Sequence, residues 1–329
     1  VSPVKARKRA QKRVLWITDP WNTLDHSRDT SLRLAEEMLA QGVQPHWASH
    51  HSILLEKGEV LLEAHAITGI FPGRAKDSFA LSPAEAARPR DFDQILYRVD
   101  PPVDHAYLHP LQLIAFDSAL GARRPEIVNP APILALDSEK FLGAALPELF
   151  PEGVVASSVE HLERFIAHAG RAVLKPLHQA QSKGIELLDK SKLDAEEIRA
   201  RLARATGDFT APVLLQQFLP GIAEGETRLW YLDGKLLAHA RKLPLEGDFR
   251  VNIDQGSRLA QSRLTAREKK AAAKIGTLLR ARRIRLAAVD LIEGLITDSN
   301  FTSPGLITQM ESLLGENLAR PIVRALLKR

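Results

Sequence analysis

The residues best suited to chemistry lie in one short stretch, Val289-Asp290-Leu291-Ile292-Glu293-Gly294-Leu295-Ile296-Thr297-Asp298-Ser299-Asn300. Glu293-Gly294 between two apolar runs predicts a hairpin, which would set Asp290 near Asp298 and Asn300. Strand alternation places Asp298 and Asn300 on one face. Two carboxylates and an amide oxygen are hard donors of the kind magnesium takes, often beside phosphate oxygens and water. Turn acids capping a hairpin would read the same, and both readings stay open.

Several cations sit inside apolar patterns. Lys175 ends the run Ala172-Val173-Leu174-Lys175, so its ammonium must emerge at a sheet edge or face an anion in a cleft. Lys140, after Asp137 and Ser138, is equally ambiguous. Arg228 lies within an apolar strand, Arg241 ends the next, and Arg250 and Asn252 follow. A guanidinium in such a pattern faces an anion or an internal partner, because burying it unpaired is costly. Glu226 and Asp248 are the internal candidates. His46, His50 and His51 are close in sequence but carry no acidic ligand pattern with them. No serine-nucleophile elbow, Walker-type loop or dinucleotide fingerprint is present.

Two kinds of domain are needed to position these groups. Val14–Thr18 predicts a buried strand ending at Asp19-Pro20. Asp29 and Thr30 then cap a helix whose apolar face is Leu32, Leu34, Ala35, Met38 and Leu39, with Gly42 as its stop. Val43–Ala48 reads as the next strand, giving a β-α-β opening and a parallel α/β sheet. Lys57-Gly58 predicts a hairpin between Ile53–Glu56 and Glu59–Leu62, and Pro72–Asp91 a surface excursion. A strand at Gln94–Arg98, a helix at His105–Gly121 and a strand at Glu126–Asn129 complete a first domain of residues 14–130. Beyond it, strands are expected at 172–175, 184–188, 213–218, 228–232, 235–240, 287–291 and 295–297, with a hairpin at Asp233-Gly234. Helices are expected at 138–145, 159–169, 194–205 and 265–283. Hairpins with helices packed to one side make an α+β domain.

The 329 residues, 45% hydrophobic and 26% charged, suit two folded domains, and no apolar run is long enough to span a membrane. Without cysteine there is no disulfide, thiolate nucleophile or zinc–cysteine site. The net charge of +5 comes from residues 1–13, which hold Lys5, Arg7, Lys8, Arg9, Lys12 and Arg13; the remainder has 39 basic and 40 acidic side chains. A neutral body argues against nucleic acid as the partner. The tail reads as a solvated, disordered segment with no export signal, the alternative being contact with an acidic surface.

In order along the chain come Lys140, Leu174-Lys175-Pro176, Leu215-Gln216-Gln217-Phe218-Leu219-Pro220, Arg228, Asp233-Gly234, Arg241, Arg250-x-Asn252, Asp290 and Asp298-x-Asn300. The first half adds Asp19-Pro20, Arg98-x-Asp100-Pro101-Pro102 and Ile127-Val128-Asn129-Pro130, and the end adds Asn300-Phe301-Thr302-Ser303-Pro304. Together these resemble the ATP-grasp ligases, and among them the bacterial glutathione synthetases, over nearly all of Val14–Arg329. The resemblance implies a parallel α/β domain followed by an ATP-grasp fold of two α+β subdomains over 131–329, with a lid near 150–212. It implies that Lys140 and Lys175 hold ATP phosphates and that Gln216, Gln217, Phe218 and Leu219 present a backbone edge to adenine. Asp290, Asp298 and Asn300 would bind two magnesium ions, with manganese as an alternative. Arg228 and Arg241 would steady the transferring phosphoryl group; Arg250, Asn252, Ser303 and Pro304 would face the peptide. A carboxylate would be activated as an acylphosphate and captured by an amine, joining γ-glutamylcysteine or a similar peptide to glycine in the cytoplasm. Relatives of this type commonly self-associate.

Two departures stand out. The family's glycine-rich loop is here His178-Gln179-Ala180-Gln181-Ser182-Lys183-Gly184, with one glycine, and Lys183 would replace backbone donors with a charge. Asp298 stands where the family has glutamate. A degenerate relative that binds without efficient turnover, or a ligase with another amino-acid acceptor, are therefore the alternatives. The loop over Gln179–Lys183, polar and without an apolar face, is expected to be mobile without ligand.

Overall fold

The computed structural model describes residues 12–70, 78–121, 124–179, 183–253 and 256–328. The chain forms two compact units. One takes in the chain up to Arg98, Pro110–Val128 and the chain from Ala319 onward; the other takes in Val99–His109 and Asn129–Leu318.

The first unit is built on β1 (Val14–Thr18), buried throughout, which pairs in parallel with β2 (Pro45–Ser49) and β7 (Gln94–Tyr97). The hairpin strands β3 (Leu54–Glu56) and β4 (Glu59–Ile70) extend one edge, with β5 (Phe79–Leu81) and β6 (Glu85–Ala87) also on β4, and β8 (Glu126–Val128) ends the other. Helix α1 (Thr30–Ala40) starts at the Asp29 carboxylate, which accepts from Leu32 N at 2.8 Å. It ends with Val43 N donating to Met38 O, which spends the Val43 amide and delays β2 to Pro45. Leu32 and Ala35 pack against Trp47, Ile67 and Phe79. Helix α2 (His105–Leu120) follows β7.

The second unit holds two antiparallel sheets. In the first, β9 (Gly153–Ala156), β10 (Arg171–Pro176), β11 (Glu186–Asp189) and β12 (Val213–Gln217) run in the order β11-β10-β12-β9. Helices α4 (Val159–Ala169) and α5 (Ala195–Thr206) cover one face, burying Leu162, Ile166, Ile198 and Leu202 on Leu174, Leu188 and Leu215. In the second, β13 (Glu226–Leu232), β14 (Lys235–Leu243), β15 (Arg258–Ala260), β16 (Leu286–Ile292) and β17 (Leu295–Asn300) run in the order β15-β14-β13-β16-β17. Helix α6 (Ala266–Ala281), begun by a Thr265/Glu268 capping box, packs against this sheet, and Tyr231 donates to Ala272 O. Asp233 and Gly234 take φ of 49° and 69°, and a Cβ on Gly234 would lie 2.4 Å from Gly276 O of α6. Glycine is required there both by the turn and by the helix above it.

Several expectations need correction. The helix read at 138–145 is only a 3-10 turn at Leu142–Ala145, because Glu139 and Lys140 turn inward to hydrogen-bond Thr302 and Asp298. The excursion at 72–91 contains β5 and β6; residues 71–77 lie outside the described residues. The sheet under α4 and α5 includes β12, so that part runs past residue 212. Helices α3 (Ala131–Leu136), α7 (Ile307–Leu314) and α8 (Ala319–Leu327) were not legible, nor were β9 and β15. By its contacts α8 belongs to the first unit, where it packs on α1, rather than to the 131–329 segment.

Asn129 is the polar pin of the second unit. Its Nδ2 donates to Leu286 O and Phe301 O, both at 2.7 Å, and its Oδ1 accepts from Arg285 N and Leu286 N at 2.7 and 3.1 Å. Asn129→Ala strands four buried backbone groups and should lower unfolding stability by about 3 kcal/mol in urea titrations. A loss under about 1 kcal/mol would show that these bonds are replaceable.

Candidate active site

One face of the second sheet carries a row of charges, and register explains its membership. Across antiparallel strands, directly opposed residues share a face. Glu226 opposes Lys242, Arg228 opposes Asp290, and Asp290 opposes Asp298. Two of these pairings depend on irregularities in the ladder. The β13–β14 register shifts between Trp230 and Tyr231, leaving Leu237 unpaired, and the β16–β17 register shifts between Asp290 and Leu291, leaving Thr297 unpaired. Each extra residue inverts the facing of everything beyond it.

Asp290 is the centre of the row. Arg228 grips it with two bonds, Nε to Oδ1 at 2.9 Å and Nη2 to Oδ2 at 2.7 Å, and Lys242 Nζ adds a third to Oδ2 at 3.0 Å. Lys242 also pairs with Glu226. Asp290 is 2% exposed. Burial alone would push its carboxyl up, but Arg228 and Lys242 outweigh burial and hold it well below the usual carboxylate range. Burial likewise works against the Arg228 cation, and Asp290 more than compensates, holding the guanidinium firmly charged. Glu226, with Lys242 as its partner but Asp290 close by, is pushed up by burial.

Lys140 joins the row from the segment before the 3-10 turn, its Nζ bonded to both Asp298 oxygens at 2.8 and 3.0 Å. Burial opposes its charge, but Asp298 raises its pKa above the ordinary lysine value. Its neighbour Glu139 is buried and accepts from Phe301 N at 2.5 Å and from Thr302 N and Oγ1 at 2.8 and 3.0 Å. Burial pushes the Glu139 carboxyl up in spite of those bonds. Glu139 thereby fixes the backbone that leads to Ser303, which is half-buried, and Pro304, which is buried. A cleft of about 200 Å³ opens here, lined by Pro101, Val103, Asp137, Glu139, His178 and Thr302 among others.

Lys175 reaches the same place from the other sheet. Its Nζ donates to Gln216 Oε1 at 2.9 Å and to the carbonyl of the unpaired Thr297 at 2.7 Å. Burial lowers its pKa to about 8, with Asp298 pulling the other way. Gln216 Nε2 is buried with no hydrogen-bond partner.

Other expected site residues lie elsewhere or are already committed. Arg241 opposes Thr227 on the α6 side of the sheet, bonding Glu268 Oε1 at 3.4 Å and Glu224 O at 3.3 Å; it does not join Arg228 and Asp290. The bulge at Leu237 is the reason, since an unbroken two-residue hairpin would set Arg241 opposite Glu226. Arg250 is paired with Asp248 at 3.0 Å, the internal alternative open from the sequence. Asn252 N donates to Ser257 Oγ. The amides of Gln217 and Phe218 are spent on Glu152 O and Arg171 O, and Leu219 O accepts from Ile222 N. The Phe218 ring carries the Arg171 guanidinium at 4.2 Å. Lys183 is exposed at the turn before β11; residues 180–182, on which the expected loop mobility falls, lie outside the described residues.

Among the described residues, no three of His, Cys, Asp and Glu cluster as a metal cage. Magnesium needs fewer protein ligands when phosphates and waters complete its shell. Asp298 is 26% exposed, and Asn300 on the same strand face carries an amide oxygen, the hard donor that magnesium takes. That pair fits one such ion. Asp290 fits less well, with three bonds to cations already in place.

The chain matches the model of the prokaryotic glutathione synthetase N-terminal domain over residues 13–130 and that of the prokaryotic glutathione synthetase ATP-grasp domain over 139–315. The chain belongs to the prokaryotic glutathione synthetase family. Relatives within it include a glutathione synthetase of Prochlorococcus marinus, 29% identical over 315 residues, which span 96% of this chain and 98% of that one. Another, from Gloeobacter violaceus, is 29% identical over 317 residues, spanning 94% and 95%. Solved structures of similar fold include a D-cycloserine synthetase (TM-score 0.67, 16% identity, 96% and 99% covered). A D-alanyl-alanine synthetase A from Vibrio cholerae is similar too (TM-score 0.59, 14% identity, 96% and 99% covered). The fold is an N-terminal domain followed by ATP-grasp, and the chain is an ATP-dependent, amide-bond-forming ligase. ATP and magnesium use is general to this family. No helix among the described residues is long and apolar enough to cross a membrane.

Glu139 and Lys242 were not singled out from the sequence. Glu139 carried a signal in its position next to Lys140, but Lys242 is recognisable only once the bulge is known. Because Arg241 lies on the far face, Arg241→Ala should leave turnover within about threefold of the parent and cost under about 1 kcal/mol of stability. A hundredfold loss of kcat in the folded variant would return Arg241 to the site.

Proposed function

We propose that the protein is a glutathione synthetase-type ligase, joining γ-glutamylcysteine or a closely similar peptide to glycine. The observation carrying this reading is the convergence of Lys140, Lys175 and Arg228 on the strand face that bears Asp298 and Asn300. A substrate carboxylate oxygen bonds to the γ-phosphorus of ATP as the bond to ADP breaks. The amine of the second substrate then attacks the acyl carbon, and phosphate leaves as the amide forms. Such chemistry asks for positioning and charge stabilisation and no protein nucleophile.

In this reading Lys140 and Lys175 bind phosphate oxygens. Both are buried and prepositioned, so little side-chain entropy is lost on binding. Arg228, locked by its two bonds to Asp290, presents its remaining edge to the transferring group. Asp298 and Asn300 would hold magnesium, which supplies charge neutralisation at the phosphates when bound. Gln216 would turn its unpartnered Nε2 toward the nucleotide, and the 301–304 segment, fixed by Glu139, would line the peptide side. Lys183 would close over the phosphates. The domain boundary is proposed near residue 130, with 14–130 as the N-terminal domain, and a cytoplasmic location is part of the same proposal.

The test is phosphate release from ATP and magnesium with γ-glutamylcysteine, across a panel of amino-acid acceptors. Glycine-dependent release is expected, falling by at least a hundredfold in Lys175→Met. Release that requires another amino acid would keep the ligase and reassign the acceptor. A chain that binds ATP but is inert with every pair would favour the non-catalytic reading suggested by the single glycine in 178–184.

A further inference from the structure

Asp290 would be a magnesium ligand by resemblance, yet its charge is already met inside the protein. Arg228 occupies both oxygens as a fork, and Lys242 takes a further lone pair of Oδ2 at 3.0 Å. Both cations are buried, and Lys242 is held from its other side by Glu226. Resting on the nucleotide-binding reading above, we propose that Lys242 is a built-in cation at the position a second divalent ion would need. This chain then holds its nucleotide with one ion, at Asp298 and Asn300.

The geometry restricts the alternatives. For a metal to reach Asp290, either the Arg228 fork must open or Lys242 must withdraw. Opening the fork gives up two charge-assisted bonds in a buried setting. Withdrawing Lys242 leaves the Glu226 carboxylate buried without its partner, and Lys242 has no exposed position beside it, being 5% accessible. Asp298 also carries a buried lysine, Lys140 on both oxygens, but it answers to one cation where Asp290 answers to two. Asp298 is partly exposed, its bonds come from Lys140 and from Ser299 N, and Asn300 stands two residues on along the same face. A lysine ammonium is a compact positive charge against the carboxylate, but a single one, half that of the divalent ion whose position it takes. The bulge at Leu237 is what delivers Lys242, and not Arg241, to this position.

The experiment counts bound ions. Manganese serves as the paramagnetic probe, titrated into the full chain saturated with a non-hydrolysable ATP analogue, with free ion read by electron paramagnetic resonance. One ion per chain is expected, any second binding at least tenfold more weakly. In Lys242→Met, and in Lys242→Met/Glu226→Gln, which removes the charge pair together and protects folding, two ions of comparable affinity are expected. Two equal sites in the parent, or a single site in a double variant shown to be folded by circular dichroism, would overturn the inference. A parent that fails to bind the analogue in calorimetric titration would overturn the nucleotide reading itself and this inference with it. Analogue binding accompanied by two equal ions would overturn this inference alone.

Discussion

A buried carboxylate has to be paid for in partners, and Asp290 has three bonds to two cations. That requirement ties β13, β14 and β16 into one register: slipping any of them by one residue would turn its charge to the opposite face and leave the others unpaired. The apolar residues of these strands, Leu229, Trp230, Val289 and Leu291, stabilise the sheet without specifying which face is which as strictly. The charge network supplies that specification. It also leaves the site assembled before any ligand arrives, since Arg228 is oriented by Asp290, Lys140 by Asp298, and Lys175 by Gln216 and the Thr297 carbonyl.

The bulges connect the fold to the chemistry. Thr297 is unpaired in the β16–β17 ladder; its inclusion turns Asp298 to face Asp290, and its carbonyl receives Lys175. Leu237 does the equivalent for Lys242. Neighbours of the same fold include a D-cycloserine synthetase and a D-alanyl-alanine synthetase, so the shared architecture identifies a fold and not a substrate. The proposed peptide side is the cleft beside Glu139 together with the residues that follow β17.

Much of this was legible in the sequence where local physics dominates. The Asp29 cap, the helix starts at Asp194 and Thr265, the positive-φ turns at Lys57-Gly58, Asp233-Gly234 and Glu293-Gly294, and the apolar strands they join all follow from short-range rules. Lys175 and Arg228 were singled out because charges inside apolar runs need explaining, and the Asp290/Asp298 pair because the Glu293-Gly294 hairpin sets the two opposite each other. Arg241 was grouped with Arg228 by resemblance, and Lys242 was missed; a bulge carries no residue signature in Leu236-Leu237 yet reverses the facing of all that follows. The short α3 and β15, and the terminal α8, depend on tertiary contacts for their stability, which periodicity does not report.

The claim that Asp290 organises the site is tested most directly by a double-mutant cycle on unfolding free energy, measured in urea without nucleotide, between Arg228→Met and Asp290→Leu. Asp290→Leu leaves the Arg228 guanidinium buried without its partner, and Arg228→Met leaves Asp290 to Lys242 alone, so each should lose about 3 kcal/mol. The double variant removes both charges, so the cycle should return a coupling of at least about 2 kcal/mol. Additive losses, with a coupling below about 0.5 kcal/mol, would contradict the account.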